Sequence, residues 1–244
     1  MNLIGEALAW IFSGDTGLLT PIPIAVLQQL GYTFASVAIA ALIAIPFGWL
    51  IGHTGKGRDI AVAITGAARA IPSFGLLILL VLLFGVLRTP EAAVITFVLL
   101  AIPSILAGAY TGFEAVDRKV IDAARSTGMT EWQILWRVEV PLGLPLLVAG
   151  LRSATLQVVA TVTIAAYVNL GGLGQYILAG IPLRRFEVVL GGALLVAALA
   201  LVLDGIFALL QRASVPTGVR AAQSDRRSVP KRSASAHPAP AAVS

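Results

Sequence analysis

Residues 91–112 read EAAVITFVLLAIPSILAGAYTG, and no residue after Glu91 in this stretch is charged. The length matches the roughly 20 residues that a helix needs to cross the hydrocarbon core of a bilayer. A helix satisfies its own backbone hydrogen bonds, which lipid cannot do. Four other strongly apolar stretches lie at 30–52, 60–87, 142–168 and 186–210. The sequence therefore predicts an all-α, polytopic membrane protein with about five transmembrane helices.

The overall composition supports this prediction. Of the 244 residues, 58% are hydrophobic and 12% are charged, and a soluble domain has about twice that charged fraction. The chain has no cysteine, which excludes disulfides, thiolate chemistry and cysteine-bound metals. The formal net charge is +5, but the basic residues lie in short hinges and in the tail, not among aromatic residues. This distribution argues against nucleic-acid binding and for contact with a lipid bilayer.

Three regions of the chain differ in composition. Residues 1–29 are mildly apolar and broken by glycine and proline, which predicts an N-terminal periplasmic or interfacial segment. Residues 30–211 form the predicted transmembrane domain, whose longest polar connection is the loop at 113–141. Residues 212–244 are rich in Ala, Ser, Pro and Arg. Such a composition buries little apolar surface, so a disordered basic tail is predicted there.

The basic residues set the predicted orientation. Most of them lie in the hinge at 53–59, in the loop at 113–141 and in the tail. The opposite side of the five spans holds only Arg88, Arg184 and Arg185. The positive-inside rule places the more basic side in the cytoplasm. The N-terminus is then predicted outside and the C-terminus in the cytoplasm.

The loop at 113–141 has a recognisable local pattern. Apolar residues at helical spacing predict a first helix, and Gly128 is placed to end it in a left-handed conformation. Thr130 and Gln133 form a capping box for a second short helix. Pro141 is predicted to end this second helix, with Val140 extended before it. The result is a helix, a glycine elbow and a second helix on the cytoplasmic face.

This loop resembles the coupling loop of ABC-importer permeases. The family pattern is Glu-Ala-Ala, three residues, Gly, nine residues, Ile, any residue, Leu and Pro, and every spacing matches here. The matching positions are Asp122, Ala123, Ala124, Gly128, Val138, Val140 and Pro141. Asp replaces Glu, and Val replaces both Ile and Leu. The alternative is an ordinary amphipathic hairpin, but the full pattern between the third and fourth spans favours the family.

The resemblance implies a type I ABC-importer permease in a bacterial inner membrane. In that class the loop docks on a separate ATPase subunit, which binds ATP and Mg, so no cofactor is expected in this chain. A substrate-binding protein outside the membrane and a second permease copy, identical or related, are further implied partners. The sequence itself contains no phosphate-binding loop, since Gly55 and Lys56 lack the rest of that motif. No catalytic residue and no metal site are predicted.

Two further stretches resemble the permeases for quaternary amines, those for glycine betaine, choline and carnitine. Residues 69–77, RAIPSFGLL, are similar to their Arg-(Thr/Ala)-Ile-Pro-Ser segment, and residues 171–177, GGLGQYI, to their Gly-Gly-Leu-Gly loop. The resemblance covers residues 28–211 and implies inward transport of a small osmoprotectant by alternating access. Methionine permeases carry similar stretches and stay an alternative. A secondary transporter is a weaker one, because no internal repeat is visible.

Aromatic and charged residues provide candidates for the translocation path. A quaternary ammonium is held by aromatic faces, which points to Phe74, Tyr167 and also Tyr176, with packing or interfacial anchoring as the alternative. Arg69 and Arg152 lie at predicted membrane depth, where a charge is expensive and marks function. Asp204 is the predicted partner of Arg152. For Arg69, extension of the side chain to cytoplasmic water is the alternative.

Helix breaks provide the remaining candidates. Proline disfavours helix at the residue before it, so Pro72 predicts a short helix before Ile71 and a main span from Ser73. Pro72 and the cluster of Gly171, Gly172 and Gly174 are candidate bending points for alternating access; a static kink and a flexible outer loop are the alternative. The complete path set is Arg69, Pro72, Ser73, Phe74, Arg152, Tyr167, Gly171, Gly172, Gly174 and Asp204.

Overall fold

A computed structural model describes residues 2–216 except for the side chain of Arg69. Every regular element within that part of the chain is helical, as predicted. The α-helices are α1 Leu3–Ser13, α2 Ile22–Thr54, α3 Arg58–Ala70, α4 Ser73–Phe84, α5 Thr89–Glu114, α6 Arg118–Ser126, α7 Glu131–Ile134, α8 Val140–Ala165, α9 Gly174–Gly180 and α10 Phe186–Ser214. Short 3-10 turns follow α4 and α8, and a π-turn, Leu135–Glu139, joins α7 to α8. Most of the predicted tail, from residue 217 on, lies outside the described residues.

Four continuous helical stretches are long and apolar enough to cross a membrane. They are Ile22–Thr54, Val86–Glu114, Glu131–Val168 and Phe186–Ser214. The helices α3 and α4 make a fifth crossing when they are taken together, although their axes differ by 85°. The structure thus has four or five candidate spans, in agreement with the prediction of about five.

The break between α3 and α4 lies at the predicted place. Ile71 is extended, with ψ of 123°, and Pro72 precedes the first turn of α4. Proline has no N–H to donate and disfavours helix before it, which explains the sharp bend. The prediction of a main span from Ser73 is wrong, because α3 has 13 residues and α4 has 12. At 1.5 Å per residue each half measures roughly 20 Å, too short to cross alone.

The ends of two spans differ from the prediction. The helix expected from residue 30 begins at Ile22, so the last eight residues of the predicted N-terminal segment belong to α2. Pro21 and Pro23 mark the start of this helix instead of breaking it, because the first turn needs no intrahelical N–H. At the other end, α10 continues to Ser214, three residues beyond the predicted domain limit.

The central helix is α5, which packs between α2 and α8. Glycines allow the close approach: a Cβ on Gly108 would lie 2.8 Å from the Cα of Gly150, and one on Gly112 would lie 2.6 Å from the carbonyl oxygen of Gly143. On the side of α2, a Cβ on Gly48 would overlap the side chain of Ala109. Small residues let membrane helices approach backbone to backbone, where dispersion contacts are most numerous.

A second, smaller core joins α1, α9 and α10. Trp10 packs edge-on against Tyr176, with ring centroids 5.3 Å apart, and Val188 is buried beside them. The Tyr176 hydroxyl donates a hydrogen bond to the carbonyl oxygen of Thr20. Tyr176 is fully buried, so packing is the interpretation that the structure supports for this residue. The first helix is therefore fixed to the bundle.

Candidate coupling loop and translocation path

The first half of the coupling loop forms an exposed helix with a glycine stop. Asp117 caps α6 by accepting a hydrogen bond from the backbone N–H of Lys119 at 2.9 Å. None of the residues of α6 is buried. After it, Gly128 has φ of +83°, a left-handed conformation that costs glycine little and other residues more. The predicted glycine elbow is confirmed.

The second half begins with the predicted capping box and then departs from the prediction. Thr130 and Gln133 exchange the two hydrogen bonds of the box, at 2.9 and 3.4 Å. Pro141 does not end the helix, and Val140 is helical, not extended. The π-turn before it explains this. The N–H of Val140 bonds to the carbonyl of Leu135, five residues back, and the wider turn accommodates a residue that cannot donate.

The seven residues of the family pattern divide into two groups. Asp122, Ala123 and Gly128 are exposed and Ala124 is half-buried, all on α6 and its elbow. Val138, Val140 and Pro141 are half-buried where the π-turn enters α8. One group is therefore accessible to a partner protein, and the other packs at the root of a membrane-spanning helix. The loop therefore connects an exposed helix to α8.

An ionic network at this root has no counterpart among the predictions from the sequence. The Nδ1 atom of His53, at the end of α2, lies 2.5 Å from Oε2 of Glu139 in the π-turn. The other ring nitrogen lies 3.8 Å from Glu131. Arg125 of α6 binds Glu131 with two hydrogen bonds of 2.7 and 3.0 Å. Partners separated by 86 residues in the chain leave no local sequence pattern.

A polar cleft of about 520 Å³ opens beside this network. Its walls come from the hinge between α2 and α3, the end of α5, α6 and the π-turn. Arg58 and Glu114 form a further ion pair at its rim, 2.9 Å apart. Next to the cleft, four aromatic rings contact one another in series, with successive centroids 5.6 to 5.9 Å apart: Trp132, Trp136, Trp49 and Phe113. Tryptophan is enriched at membrane–water interfaces, which agrees with a membrane boundary at this level.

The predicted pair of Arg152 and Asp204 is confirmed as a contact. The Arg152 guanidinium donates two hydrogen bonds of 2.6 Å to the two oxygens of Asp204, which joins α8 to α10. Each side chain is about one-third exposed. A bidentate pair of this kind satisfies both charges in a region where water is scarce.

The structure also brings Phe74 and Tyr167 together. Their rings meet edge-to-face with centroids 5.5 Å apart, and they are 38% and 68% exposed. Such a pair presents aromatic surface from α4 and from the end of α8. Along α8, Tyr167 is 15 residues from Arg152, or about 22 Å at 1.5 Å per residue. The aromatic pair and the ion pair are therefore separate features.

Two glutamines that were not among the predicted site residues hold the glycine loop after α8. Gln29 is fully buried and donates to the carbonyl of Val159 at 2.9 Å, while its oxygen accepts from the N–H of Leu173 at 3.2 Å. Gln28 accepts from the N–H of Gly172 at 3.1 Å. A Cβ at Gly171 or Gly172 would collide with these amides. In the sequence, only the two adjacent amide side chains in an otherwise apolar helix indicate this contact.

The other predicted path residues are distributed along the bend. Pro72 is exposed and Ser73 is half-buried at the start of α4. Gly174 starts α9 and is packed so tightly against the carbonyl of Thr163 that a Cβ has no space. The side chain of Arg69 lies outside the described part of the structure, so its role stays a prediction.

Comparison with known proteins identifies the class. Residues 44–215 match the family described as binding-protein-dependent transport system inner membrane component. This match covers more than half of the chain, and the chain belongs to that family. Membership of this family makes the chain a multi-pass transport permease of the inner membrane.

Individual relatives agree with this assignment. The glycine betaine/carnitine/choline transport system permease protein OpuCB of Bacillus subtilis is 29% identical over 193 residues, which cover 79% of this chain and 88% of that protein. The osmoprotectant import permease protein OsmW of Salmonella typhimurium is 34% identical over 199 residues, covering 79% and 91%. Among solved structures, the MetNI methionine ABC transporter in an inward-facing conformation matches with a TM-score of 0.68 and 24% identity, over 80% of this chain and 96% of that chain. The fold is that of a type I ABC-importer permease, as predicted.

Proposed function

We propose that this chain is the permease subunit that couples inward transport of a small osmoprotectant to ATP hydrolysis on a separate ATPase. The observation that carries the proposal is the exposed α6 with its left-handed Gly128 elbow, standing at the root of α8. Because α6 has no buried residue, its surface is available for contact with a partner protein. The family's own description, binding-protein-dependent transport, supports a substrate-binding protein as a further partner.

The proposed substrates are quaternary amines such as glycine betaine, choline and carnitine. The names of the relatives support this class, and the contact of Phe74 with Tyr167 supplies aromatic surface that attracts a cation without hydrogen-bond donors. The similarity to a methionine transporter concerns the fold. The proposed arrangement has the N-terminus outside, the C-terminus in the cytoplasm and two permease copies over two ATPase subunits.

Reconstitution with the ATPase and the binding protein tests this proposal. Vesicles are supplied with ATP and, in turn, with glycine betaine, choline, carnitine or methionine, and uptake and phosphate release are measured together. We expect stimulated hydrolysis and uptake with a quaternary amine. Uptake of methionine alone would overturn the substrate class, and uptake without ATP would overturn the permease role.

Variants at Gly128 connect the result to the loop. Gly128→Val forces a β-branched residue into φ of +83°, and we expect stimulated hydrolysis to fall by about tenfold or more, since such strain costs about 1–3 kcal/mol. Gly128→Asn should lose less, because asparagine tolerates this conformation. Gly17→Val is the matched control: Gly17 has φ of +61° in the connection between α1 and α2, with open space around it.

A further inference from the structure

His53 lies where the end of a membrane-spanning helix meets the root of the coupling loop. It lies in the last turn of α2, and its ring is held between the carboxylates of Glu139 and Glu131. The imidazole ring therefore connects the end of α2 to the π-turn, which holds Glu139, and to the start of α7, which holds Glu131.

The Glu139 side chain is largely shielded from solvent at the wall of the polar cleft. It is 4% exposed, and the π-turn that holds it lies between the capping box and α8. A buried carboxylate that loses its partner is strongly unfavourable, so the pair is expected to move as a unit. π-turns inside helices are common at functional sites and mark positions where the hydrogen-bond ladder can rearrange.

Arg125 extends the connection to α6. It is bound to Glu131 with two hydrogen bonds and approaches Asp122 of the family pattern at 3.5 Å. Glu131, which lies near His53, is therefore bound to α6 through Arg125. Glu139 connects His53 to the π-turn. The remaining charged groups around the same cleft are Arg58, Glu114 and Arg118.

We propose that His53 is a positioning residue that carries movement of the coupling loop to α2, by pairing with Glu139 in the π-turn. The inference rests on the proposed coupling to an ATPase and specifies how the loop communicates inside this chain. Without this pair, the end of α2 would meet the π-turn through ring contacts such as that of Trp49 with Trp136. The Gln29 hydrogen bond between α2 and α8 lies toward the other end of both helices. Movement of the loop would then be passed less directly to the end of α2.

The test compares transport with hydrolysis in the reconstituted complex. Glycine betaine, choline and carnitine are supplied together as the probe, and the number of molecules imported per ATP hydrolysed is measured for the wild type, His53→Gln and Glu139→Gln. We expect each substitution to lower this ratio by about tenfold, within the usual range of coupling between sites. Arg58→Gln is the matched control, because it removes an ion pair from the same cleft without touching the π-turn.

Exchange of the two side chains separates positioning from simple structural support. The reversed pair, His53→Glu with Glu139→His, restores the contact between a histidine and a carboxylate and should recover part of the ratio. A purely structural loss would not be recovered by this exchange, because each side chain then lies in the surroundings of the other.

The outcomes distinguish this inference from the proposed function. If the wild-type complex shows no hydrolysis stimulated by the probe, the ATPase coupling itself is wrong. If the wild type is coupled while His53→Gln has the same ratio, the role of His53 is wrong and the proposed function stands.

Discussion

At the scale of single residues, two charges within the apolar part of the chain form a pair. Arg152 and Asp204 share two hydrogen bonds of 2.6 Å between α8 and α10, both of which are long and apolar enough to span a membrane. Removing one partner leaves the other without compensation, which costs more than losing both. The pair therefore fixes α10 to the bundle at one point along its length.

A double-substitution cycle tests this contact. We expect Arg152→Ala and Asp204→Ala each to reduce uptake strongly, and the double variant to be no worse than either one, with an interaction energy of about 0.5–3 kcal/mol. The measurement is probe uptake together with thermal unfolding in detergent. Arg185 and Glu187 form an exposed pair at the start of α10, 2.9 Å apart, and their cycle should be close to additive. Additive effects at Arg152 and Asp204 would contradict the pairing.

Sequence reasoning finds some of these residues and misses others for a physical reason. Arg152 and Asp204 are predictable because a charge in an apolar run needs a partner and few are available. Gly128 and Pro72 are predictable because backbone geometry is local. In the sequence, His53 is only part of a polar hinge and Gln29 only the boundary of an apolar segment, since their partners lie 86 and 130 residues away in the chain. Contacts of that range depend on the packing of whole helices.

At the scale of helices, the bundle depends on glycines that face other backbones. The α5–α8 contact brings Gly108 against Gly150 and Gly112 against Gly143, with no space for a Cβ on either side. Burial alone gives little drive for helices to associate in lipid, so close packing supplies much of the stability. The sequence shows the spans but not which glycines lie at contacts, because every span contains small residues.

Substitution of these glycines measures how much the close α5–α8 contact contributes to the stability of the fold. We expect Gly108→Val to lower the free energy of unfolding by about 1–3 kcal/mol or more, as overpacking does in other cores. Gly205→Val is the control, since Gly205 lies in α10 and a Cβ added there would have no neighbouring atom within 4 Å. Thermal unfolding of the detergent-solubilised chain measures both. Equal effects at the two positions would contradict the close α5–α8 contact.

At the scale of the whole molecule, the candidate coupling loop and the aromatic pair lie at opposite ends of α8. The coupling loop, the ionic network and the polar cleft lie near its start, and Tyr167 lies just after its end with Phe74 against it. This polarity agrees with the orientation expected from the basic residues. The number and the order of the candidate spans could be predicted from composition, whereas the short helix α9 could not. The position of the bend in the second span could be predicted from Pro72, but its angle of 85° could not.

The proposed orientation is testable because the chain has no cysteine. A cysteine introduced at Leu18, which is fully exposed between α1 and α2, should react in intact cells with a thiol reagent that cannot cross the membrane. A cysteine at Lys56, exposed in the hinge after α2, should react only after the cells are opened. The reverse pattern would invert the topology and place α6 away from the ATP-containing compartment.

The π-turn before Pro141 also sets the angular phase between the coupling loop and α8. A π-turn contains one residue more than the α-helical turn it replaces, and each residue of an α-helix corresponds to about 100° of rotation. If the five residues of Leu135–Glu139 were wound as a regular α-helix instead, α7 and everything N-terminal to it would turn by roughly a quarter of a circle around the axis of α8. The elbow would keep its own shape but face a different direction, so the winding of this five-residue segment sets the direction in which the elbow points.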